Sequence, residues 1–146
     1  MSKPVPFATT IHVRDHCLCL HVQRAARTLA RRFDEALKPV GLTNQQFSLL
    51  MALNRPAPPP MGPVADLLGM DRTSLTAALK PLERRSLVEI VSSPADRRAR
   101  LLRLTGAGEA LLAAAMPIWT ATHADIEAAL PGVDPDRLRA DLVALA

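Results

Sequence analysis

The chain has 146 residues, 49% hydrophobic and 22% charged, and its formal net charge of +4 suits one compact domain with a polyanionic partner. Its only cysteines, Cys17 and Cys19, lie too close together to brace a secreted fold, which favours a reducing, cytoplasmic compartment. No signal-peptide core occurs in residues 1–15, and the longest apolar run, residues 110–119, is shorter than the roughly 20 residues that span a membrane.

The first predicted element is one long amphipathic helix over residues 12–38. Its apolar residues recur at spacings of three and four, which is the period of a helix with one buried face. They are Leu18, Val22, Ala25, Ala26, Leu29, Phe33 and Leu37. Pro39 and Gly41 end this helix. Thr43 begins the next helix as its N-cap, and Gln46, three residues later, completes a capping box.

A proline-rich connection follows, with five prolines between residues 56 and 63. Proline has no N–H to donate and biases the preceding residue away from the helical region, so this segment is predicted to be stiff and extended. The flanking segments are too short to fold separately, which favours a tight loop over a domain linker. The loop is expected to end with Pro63 at the first position of a short helix that reaches Leu68.

A helix-turn-helix is predicted from Pro63 onwards. Gly69 forms the turn after the short helix, and a second helix is predicted from Arg72 to about residue 85, with Asp71 as its N-cap. Two helices joined by a brief turn that contains glycine form the arrangement that a helix-turn-helix requires. Pro81 lies inside the second helix, so we expect a bend or a missing hydrogen bond near it, with the N-terminal half undisturbed.

The rest of the chain is predicted to form a β-hairpin followed by helices. Residues 87–91 and 101–104 are mostly apolar and flank a polar segment, which is the pattern of a hairpin with an irregular tip. Thr105 is the predicted N-cap of a long helix to about residue 130 that is interrupted or kinked at Pro117. A final helix is predicted to start at residue 134 or 135 and to reach residue 146.

Three ordered segments between residues 65 and 111 carry a more specific pattern. They are Ala-Asp-Leu-Leu-Gly-Met-Asp-Arg-Thr-Ser-Leu-Thr at 65–76, Leu-Glu-Arg-Arg-Ser-Leu-Val at 82–88, and Asp-Arg-Arg at 96–98 running into Leu-Thr-Gly-Ala-Gly-Glu-Ala-Leu at 104–111. A helix-turn-helix alone is weakly specific, whereas Asp-Arg-Arg followed by Leu-Thr-x-x-Gly-x-x-Leu is a strong marker. In this order the segments resemble the MarR family of winged helix-turn-helix transcriptional regulators.

The resemblance implies a mainly α fold with a small β-hairpin wing, forming a single domain over residues 1–146. Its winged helix-turn-helix DNA-binding region would span residues 43–105, and residues 12–40 and 105–146 would form the helical dimerisation region. The implied function is that of a homodimeric, sequence-specific DNA-binding regulator, a repressor released by a small-molecule or oxidative signal. The implied partner is double-stranded DNA with a pseudo-palindromic operator, and no cofactor or metal is expected.

Nine residues are predicted to bind DNA. They are Arg72, Thr73, Ser74, Thr76, Lys80, Arg84, Asp96, Arg97 and Arg98. The hydroxyls at the start of the second helix can hydrogen-bond base edges or phosphates in the major groove, and Arg72 can do either. Lys80, Arg84 and Arg85 lie further along that helix, where phosphate contacts and intramolecular ion pairs are the two alternatives.

The wing arginines have two interpretations. The resemblance makes Arg98 the residue that enters the minor groove, with Asp96 orienting the tip through an internal salt bridge. The alternative is a solvated hairpin face over residues 97–103, which strand alternation favours for Arg103 but the motif disfavours for Arg98. Ser86 departs from the family pattern, which commonly has glycine there, and this predicts a local conformational cost.

Cys19 is a candidate redox sensor, because it lies where the peroxide-sensing branch of the family has its reactive cysteine. That branch steadies the cysteine with tyrosine hydroxyls, whereas this chain has no tyrosine and carries Gln23 and Phe33 at the corresponding positions. A thiol that is either packed or inert is therefore the favoured interpretation. His12, His16 and Cys19 would share one face of a continuous helix, but solvated histidines are favoured over a soft-metal site.

The nature of the effector and the class of protein each have alternatives. A small effector is implied between the dimer helices and the winged region, and Arg24, Arg27 and Arg31 could meet an anionic one, although a solvent-facing helix surface is favoured. No phosphate-binding glycine loop, His-Glu-x-x-His pair or nucleophile constellation predicts an enzyme. The remaining alternative is a dimeric protein-binding adaptor that has lost DNA binding.

Overall fold

The computed structural model describes residues 3–146, over which the chain is mainly helical with one two-stranded antiparallel sheet. The elements in chain order are α1 (Phe7–His16), α2 (Leu18–Leu37), a 3₁₀ turn (Lys38–Val40), α3 (Asn44–Leu53), α4 (Met61–Leu68), α5 (Arg72–Arg84), β1 (Val88–Ser92), β2 (Arg100–Leu104), α6 (Gly106–Ala128) and α7 (Pro135–Leu145). The predicted mainly α fold with a small hairpin is confirmed. Within residues 3–146, no helix combines the length and apolar character needed to cross a bilayer.

The N-terminal prediction is wrong in one respect, since the single helix expected over residues 12–38 is two helices that meet at Cys17. α1 begins at Phe7, and it ends where Cys17 leaves the helical region with ψ 108°. The Cys17 sulfur accepts a hydrogen bond from the Leu20 N–H at 3.4 Å, so it caps α2 as a serine would. The apolar spacing that predicted the helix begins at Leu18 and lies entirely in α2, so it did not define where that helix begins, and cysteine is not a common N-cap.

The core unites every element from α2 to β2 with the inner face of α6. α3 begins with the predicted capping box, in which Thr43 Oγ1 accepts from the Gln46 N–H at 3.2 Å and Gln46 Oε1 accepts from the Thr43 N–H at 3.1 Å. The largest fully buried side chains are Leu37, Leu49, Leu50, Val64, Leu75, Leu79, Leu82, Val88 and Leu102. The helices and strands from α2 to β2 each contribute at least one of them, and α6 adds Leu112 and Ala115, so the hairpin and the helix-turn-helix share one core with α2 and α6.

α4 begins two residues earlier than predicted, at Met61, so that Pro63 is its third residue rather than its first. The first N–H groups of a helix have no intrahelical acceptor, and proline is therefore tolerated throughout this turn. The proline-rich connection before α4 lies along β2, where the Leu102 N–H donates to the Pro59 carbonyl at 2.9 Å. Prolines donate nothing to a sheet, but their carbonyls accept, so this segment pairs with the hairpin.

Two prolines lie inside helices that continue on both sides of them. Pro81 cannot donate to the carbonyl of Ala77, which is the missing hydrogen bond that the sequence predicts, but α5 continues to Arg84. Of the two alternatives predicted for α6 at Pro117, an interruption or a kink, the interruption is wrong, because α6 runs through Pro117 from Gly106 to Ala128. Buried residues on α5 and α6 pack against the core, and this packing offsets a local loss of about 3 kcal/mol.

The hairpin has the predicted strands and alternation. Val88 pairs with Leu104 on the buried face, and Glu89 pairs with Arg103 on the exposed face. β1 is preceded by Ser86, whose φ of 57° makes it the single non-glycine residue with positive φ in residues 3–146. The position at which the family commonly has glycine is therefore in the left-handed region, where the Cβ of Ser86 is sterically unfavourable.

Ser86→Gly is expected to raise the free energy of unfolding by about 0.5–1 kcal/mol. A non-glycine residue costs roughly 1–2 kcal/mol in the left-handed region, and the greater freedom of glycine in the unfolded chain cancels part of the gain. The Ser86 carbonyl, which accepts from Thr105 Oγ1 at 2.6 Å, is retained. Urea unfolding at fixed protein concentration measures the change. Ala95→Gly, at an exposed residue without positive φ, is the control, and a loss in both variants would contradict the strain at Ser86.

Candidate nucleic-acid interface

The turn between α4 and α5 is built by two local devices. Gly69, with φ 63°, ends α4, and the Met70 N–H then donates to the Ala65 carbonyl at 2.9 Å. Asp71 caps α5, because its Oδ1 accepts from the Ser74 N–H at 2.7 Å and its Oδ2 accepts from the Ser74 hydroxyl at 2.8 Å. These two bonds, the backbone one first, lower the pKa of the Asp71 carboxyl. Asp71 is the predicted N-cap.

The outer face of the first turn of α5 carries the predicted hydroxyl groups, and the structure distinguishes among them. Thr73, Ser74 and Thr76 are all exposed. The Ser74 hydroxyl donates to Asp71, and the Thr76 hydroxyl donates to the Arg72 carbonyl at 2.8 Å. Over residues 3–146 the Thr73 side chain has no hydrogen-bond partner. Thr73 can therefore both donate to and accept from a base edge, whereas Ser74 and Thr76 offer chiefly acceptor lone pairs.

The cations of α5 also differ from one another. The Arg72 guanidinium lies beside the first turn of α4, where its Nη2 is 3.2 Å from the position that a Cβ on Gly62 would occupy. Lys80 and Arg84 are exposed and have no ion pair with any carboxylate of residues 3–146. The inner face of the same helix is fully buried through Leu75, Leu79 and Leu82. α5 therefore presents polar and cationic groups outward from a fixed apolar face.

The wing tip, residues 93–99, is closed by backbone bonds. The salt bridge predicted for Asp96 is wrong, because its Oδ1 accepts from the backbone N–H of Arg98 at 3.0 Å. The Asp96 carbonyl also accepts from the Ala99 N–H at 3.0 Å. A carboxylate two residues ahead of an amide reaches it without any partner side chain, which is the geometry of an Asx-turn. Asp96 orders the tip backbone and leaves the arginine side chains unpaired.

The hairpin arginines form two groups. Arg103 forms an ion pair with Glu89, and Arg100 donates to Ser92 Oγ at 3.2 Å, so both side chains have partners within the hairpin. Arg97 and Arg98 are exposed at the tip and have no partner in the described part of the chain. The hairpin therefore offers two uncompensated positive charges at its tip.

Two joints between α2 and the segments that follow it were not found from the sequence. Asp34 Oδ1 accepts from the backbone N–H of Asn44 at 2.7 Å and from its side-chain amide at 2.8 Å, and these bonds lower the Asp34 pKa. Arg85 Nη1 donates to the Gly41 carbonyl at 2.9 Å. The two residues of each pair lie 10 and 44 positions apart, which corresponds to no helix or strand repeat, so the sequence does not indicate these contacts.

The thiol region differs from the expected arrangement. Cys19 is exposed, and its sulfur accepts from the side-chain amide of Gln23 at 3.1 Å, while Arg27 donates to the carbonyl oxygen of that amide at 3.2 Å. The shared face predicted for His12, His16 and Cys19 is wrong, because the histidines lie on α1 and Cys19 lies on α2. No three His, Cys, Asp or Glu residues among residues 3–146 are grouped to hold a metal.

A helix-turn-helix followed by a hairpin with an unpaired basic tip defines a winged helix-turn-helix protein. The sequence model described as "MarR family" matches residues 40–99. The transcriptional regulator MosR of M. tuberculosis, solved in complex with DNA, is 37% identical, with alignment over 89% of this chain and 93% of MosR and a TM-score of 0.81. A transcriptional repressor, CouR, bound to a 23-mer DNA duplex, is 33% identical over 91% of this chain and 92% of CouR, with a TM-score of 0.74.

The curated relative BadR, a transcriptional activatory protein of Rhodopseudomonas palustris, is 33% identical over 94 residues, which are 62% of this chain and 54% of BadR. The match thus spans about half the length of that relative. The chain belongs to the MarR family. It is accordingly a member of a family of transcription regulators with the winged helix fold, and not of an enzyme family.

Proposed function

We propose that this chain is a homodimeric, sequence-specific DNA-binding repressor that reads its operator with the outer face of α5 and with the wing tip. The observation that carries the proposal is the separation of the hairpin arginines. Arg103 is neutralised by Glu89, whereas Arg97 and Arg98 are unpaired among residues 3–146. Unpaired guanidinium groups on an exposed turn suit phosphates and the minor groove, and a capped helix N-terminus suits the major groove.

The residue roles follow from the contacts. We propose that Thr73 reads base edges, with Ser74 and Thr76 as acceptors for base or backbone groups. Arg72, Lys80, Arg84 and Arg97 would bind phosphates, Arg98 would enter the minor groove, and Asp96 would order the wing tip. MosR and CouR are relatives with DNA-bound structures, which supports DNA as the partner.

The dimer proposal is supported by the distribution of exposed apolar side chains. Among residues 3–146, all exposed large hydrophobic side chains other than those of Met51 and Leu67 lie in residues 5–29 or 133–145. A cleft of about 630 Å³ opens between α2, α6 and α7, and its apolar floor is formed by Leu29, Ile126, Leu138 and Leu142. Exposed large apolar side chains that are concentrated in the terminal helices of a monomer indicate a surface for a protein partner. We therefore assign residues 12–40 and 105–146 to dimerisation and residues 43–105 to DNA binding.

Met51 and Leu67, the two exposed large hydrophobic residues between residues 30 and 132, line a second cleft of about 320 Å³ between α3, α4 and α6. Its other lining residues are Phe47, Ser48, Ala52, Leu68, Met116 and Trp119. The lining contains no charged side chain, which supports an uncharged effector. A ligand there would touch α4, the first helix of the helix-turn-helix. Trp119 is the only tryptophan of the chain, so its fluorescence reports occupancy.

The proposed function is tested by selection from random DNA duplexes at moderate salt, read out by gel shift. The expected result is enrichment of an inverted repeat whose half-sites lie about 10 base pairs apart, one helical turn, as two-fold symmetry requires. Weak retention of all sequences without enrichment would contradict it and would favour the adaptor. Placing the selected operator between a promoter and a reporter gene then tests repression directly.

The oxidative signal is tested at Cys19. Gln23 gives its sulfur the hydrogen-bond donor that tyrosine provides in the peroxide-sensing branch, and the exposed position admits an organic peroxide. We expect peroxide to release the wild-type protein from the selected operator and to leave Cys19→Ser bound, as measured by gel shift. Cys17→Ser, which keeps an N-cap oxygen for α2, is the control and should still be released. Release of Cys19→Ser would eliminate this signal.

A further inference from the structure

Arg85 follows α5 and has a different environment from the neighbouring cations. Its Nη1 donates to the Gly41 carbonyl at 2.9 Å, although 44 positions separate the two residues. The Arg85 backbone N–H donates to the Pro81 carbonyl at 3.1 Å, so the side chain extends from the capped end of the helix. Gly41, with φ 68°, directly follows the 3₁₀ turn in which α2 ends. The contact therefore joins the end of α5 to the end of α2.

The remaining contacts of α5 constrain it in a different way. Leu75, Leu79 and Leu82 anchor its inner face in the core, but apolar burial is non-directional and permits small rotations. A charge-assisted hydrogen bond is directional and constrains the orientation of the helix end. Glycine suits position 41 for two reasons. Its left-handed φ disfavours any side chain, and a Cβ there would lie 3.4 Å from Arg85 Nη2, beside the carbonyl that Arg85 contacts.

We propose that Arg85 is a positioning residue that fixes the angle between α5 and α2, and thereby the distance between the two recognition helices of the dimer. This inference rests on the proposed dimeric function. Thr73 precedes Arg85 by 12 positions, which is about 18 Å along a helix. Rotating α5 by roughly 10° about its C-terminal end moves Thr73 by about 3 Å, close to the 3.4 Å rise of one base pair.

The experiment compares operators that differ in half-site spacing. Arg85→Gln removes the guanidinium, and competition gel shifts then use the selected operator and versions with one base pair added or removed between the half-sites. We expect the wild-type protein to disfavour altered spacing by about tenfold, and Arg85→Gln by about threefold or less, because a helix end without this directional contact adjusts more easily to another spacing. The slope of log affinity against log salt should be unchanged, because no phosphate contact is lost.

Arg84→Gln is the matched control, since it removes the same charge from an exposed neighbour that has no ion pair within residues 3–146. It should weaken binding equally at every spacing and reduce the salt slope by about 1. If Arg85→Gln reduces the salt slope and keeps the spacing preference of the wild-type protein, Arg85 is a phosphate contact and the proposal is overturned. A variant identical to wild type would also overturn it. If the wild-type protein itself binds all spacings equally, the proposed dimeric function fails. If the wild-type protein prefers one spacing and Arg85→Gln prefers it equally, only the role of Arg85 fails.

Discussion

Gly108→Ala is expected to lower the free energy of unfolding by about 3 kcal/mol, the largest stability effect that we predict for an alanine substitution. A Cβ at this position would lie 2.1 Å from the carbonyl oxygen of Leu87 and 3.4 Å from Leu104 Cδ2. The Leu87 oxygen is a backbone atom that already accepts from the Thr105 N–H at 3.1 Å. Relief therefore requires α6 and the start of the hairpin to move apart, which breaks packing on both sides.

Gly106→Ala is the matched control, because it changes glycine to alanine in the same turn of α6. Apart from its chain neighbours and the backbone of its own helix turn, no atom of residues 3–146 lies within 4 Å of a Cβ at Gly106, so the variant should be neutral or up to about 1 kcal/mol more stable. Urea unfolding and melting temperature, compared at one protein concentration, measure both variants. For Gly108→Ala we expect a melting temperature lower by roughly 10 °C. Equal losses in the two variants would show that the contact with Leu87 is not the cause.

This glycine also shows what a motif does and does not explain. The sequence identifies Gly108 as the glycine of Leu-Thr-x-x-Gly-x-x-Leu but offers no reason for it. The reason lies in tertiary structure, where the first turn of α6 touches the backbone that leads into β1. Position 86, by contrast, was predicted to want a left-handed residue from its place after the recognition helix, and Ser86 adopts that conformation.

The helix N-caps were predictable because each capping side chain accepts from a backbone N–H only three residues later. Thr43, Asp71 and Thr105 each cap the helix that the sequence assigned to them. The predicted hairpin strands also match the observed ones within one residue, since alternation of apolar residues fixes the face of each strand. Sequence reasoning therefore placed the helices and strands of the winged helix-turn-helix within two residues.

Features that depend on geometry between elements or on unusual donors were not predictable. The sulfur of Cys17 caps α2, although cysteine is not a common N-cap, and this separates residues 12–16 from the helix to which the sequence assigned them. The contacts of Asp34 with Asn44 and of Arg85 with Gly41 join segments with no shared period. At the wing tip, the sequence shows that Asp96 is charged but does not show that its carboxylate accepts from a backbone amide.

Arg98→Ala is expected to weaken binding to the selected operator by about 10- to 100-fold, which corresponds to losing roughly 1–3 kcal/mol of interaction. The Arg98 side chain is unpaired within residues 3–146, so no intramolecular contact competes with DNA for it. Asp96 accepts from the backbone N–H of Arg98, which alanine keeps, so the tip should hold its turn. The salt slope should fall by about 1 if the guanidinium also displaces a counterion.

Arg103→Ala separates a contact of Arg98 from an effect of net charge, because it removes the same charge from the same hairpin. Arg103 is already paired with Glu89, so we expect its loss to weaken binding by less than about threefold. Thr73→Ala should instead change the preference among operator sequences, since we propose that its hydroxyl reads base edges in the major groove. Titration of all three variants against matched and mismatched operators at two salt concentrations distinguishes these outcomes. If Arg98→Ala and Arg103→Ala weaken binding equally, the wing acts through its overall charge, and the minor-groove role assigned to Arg98 is wrong.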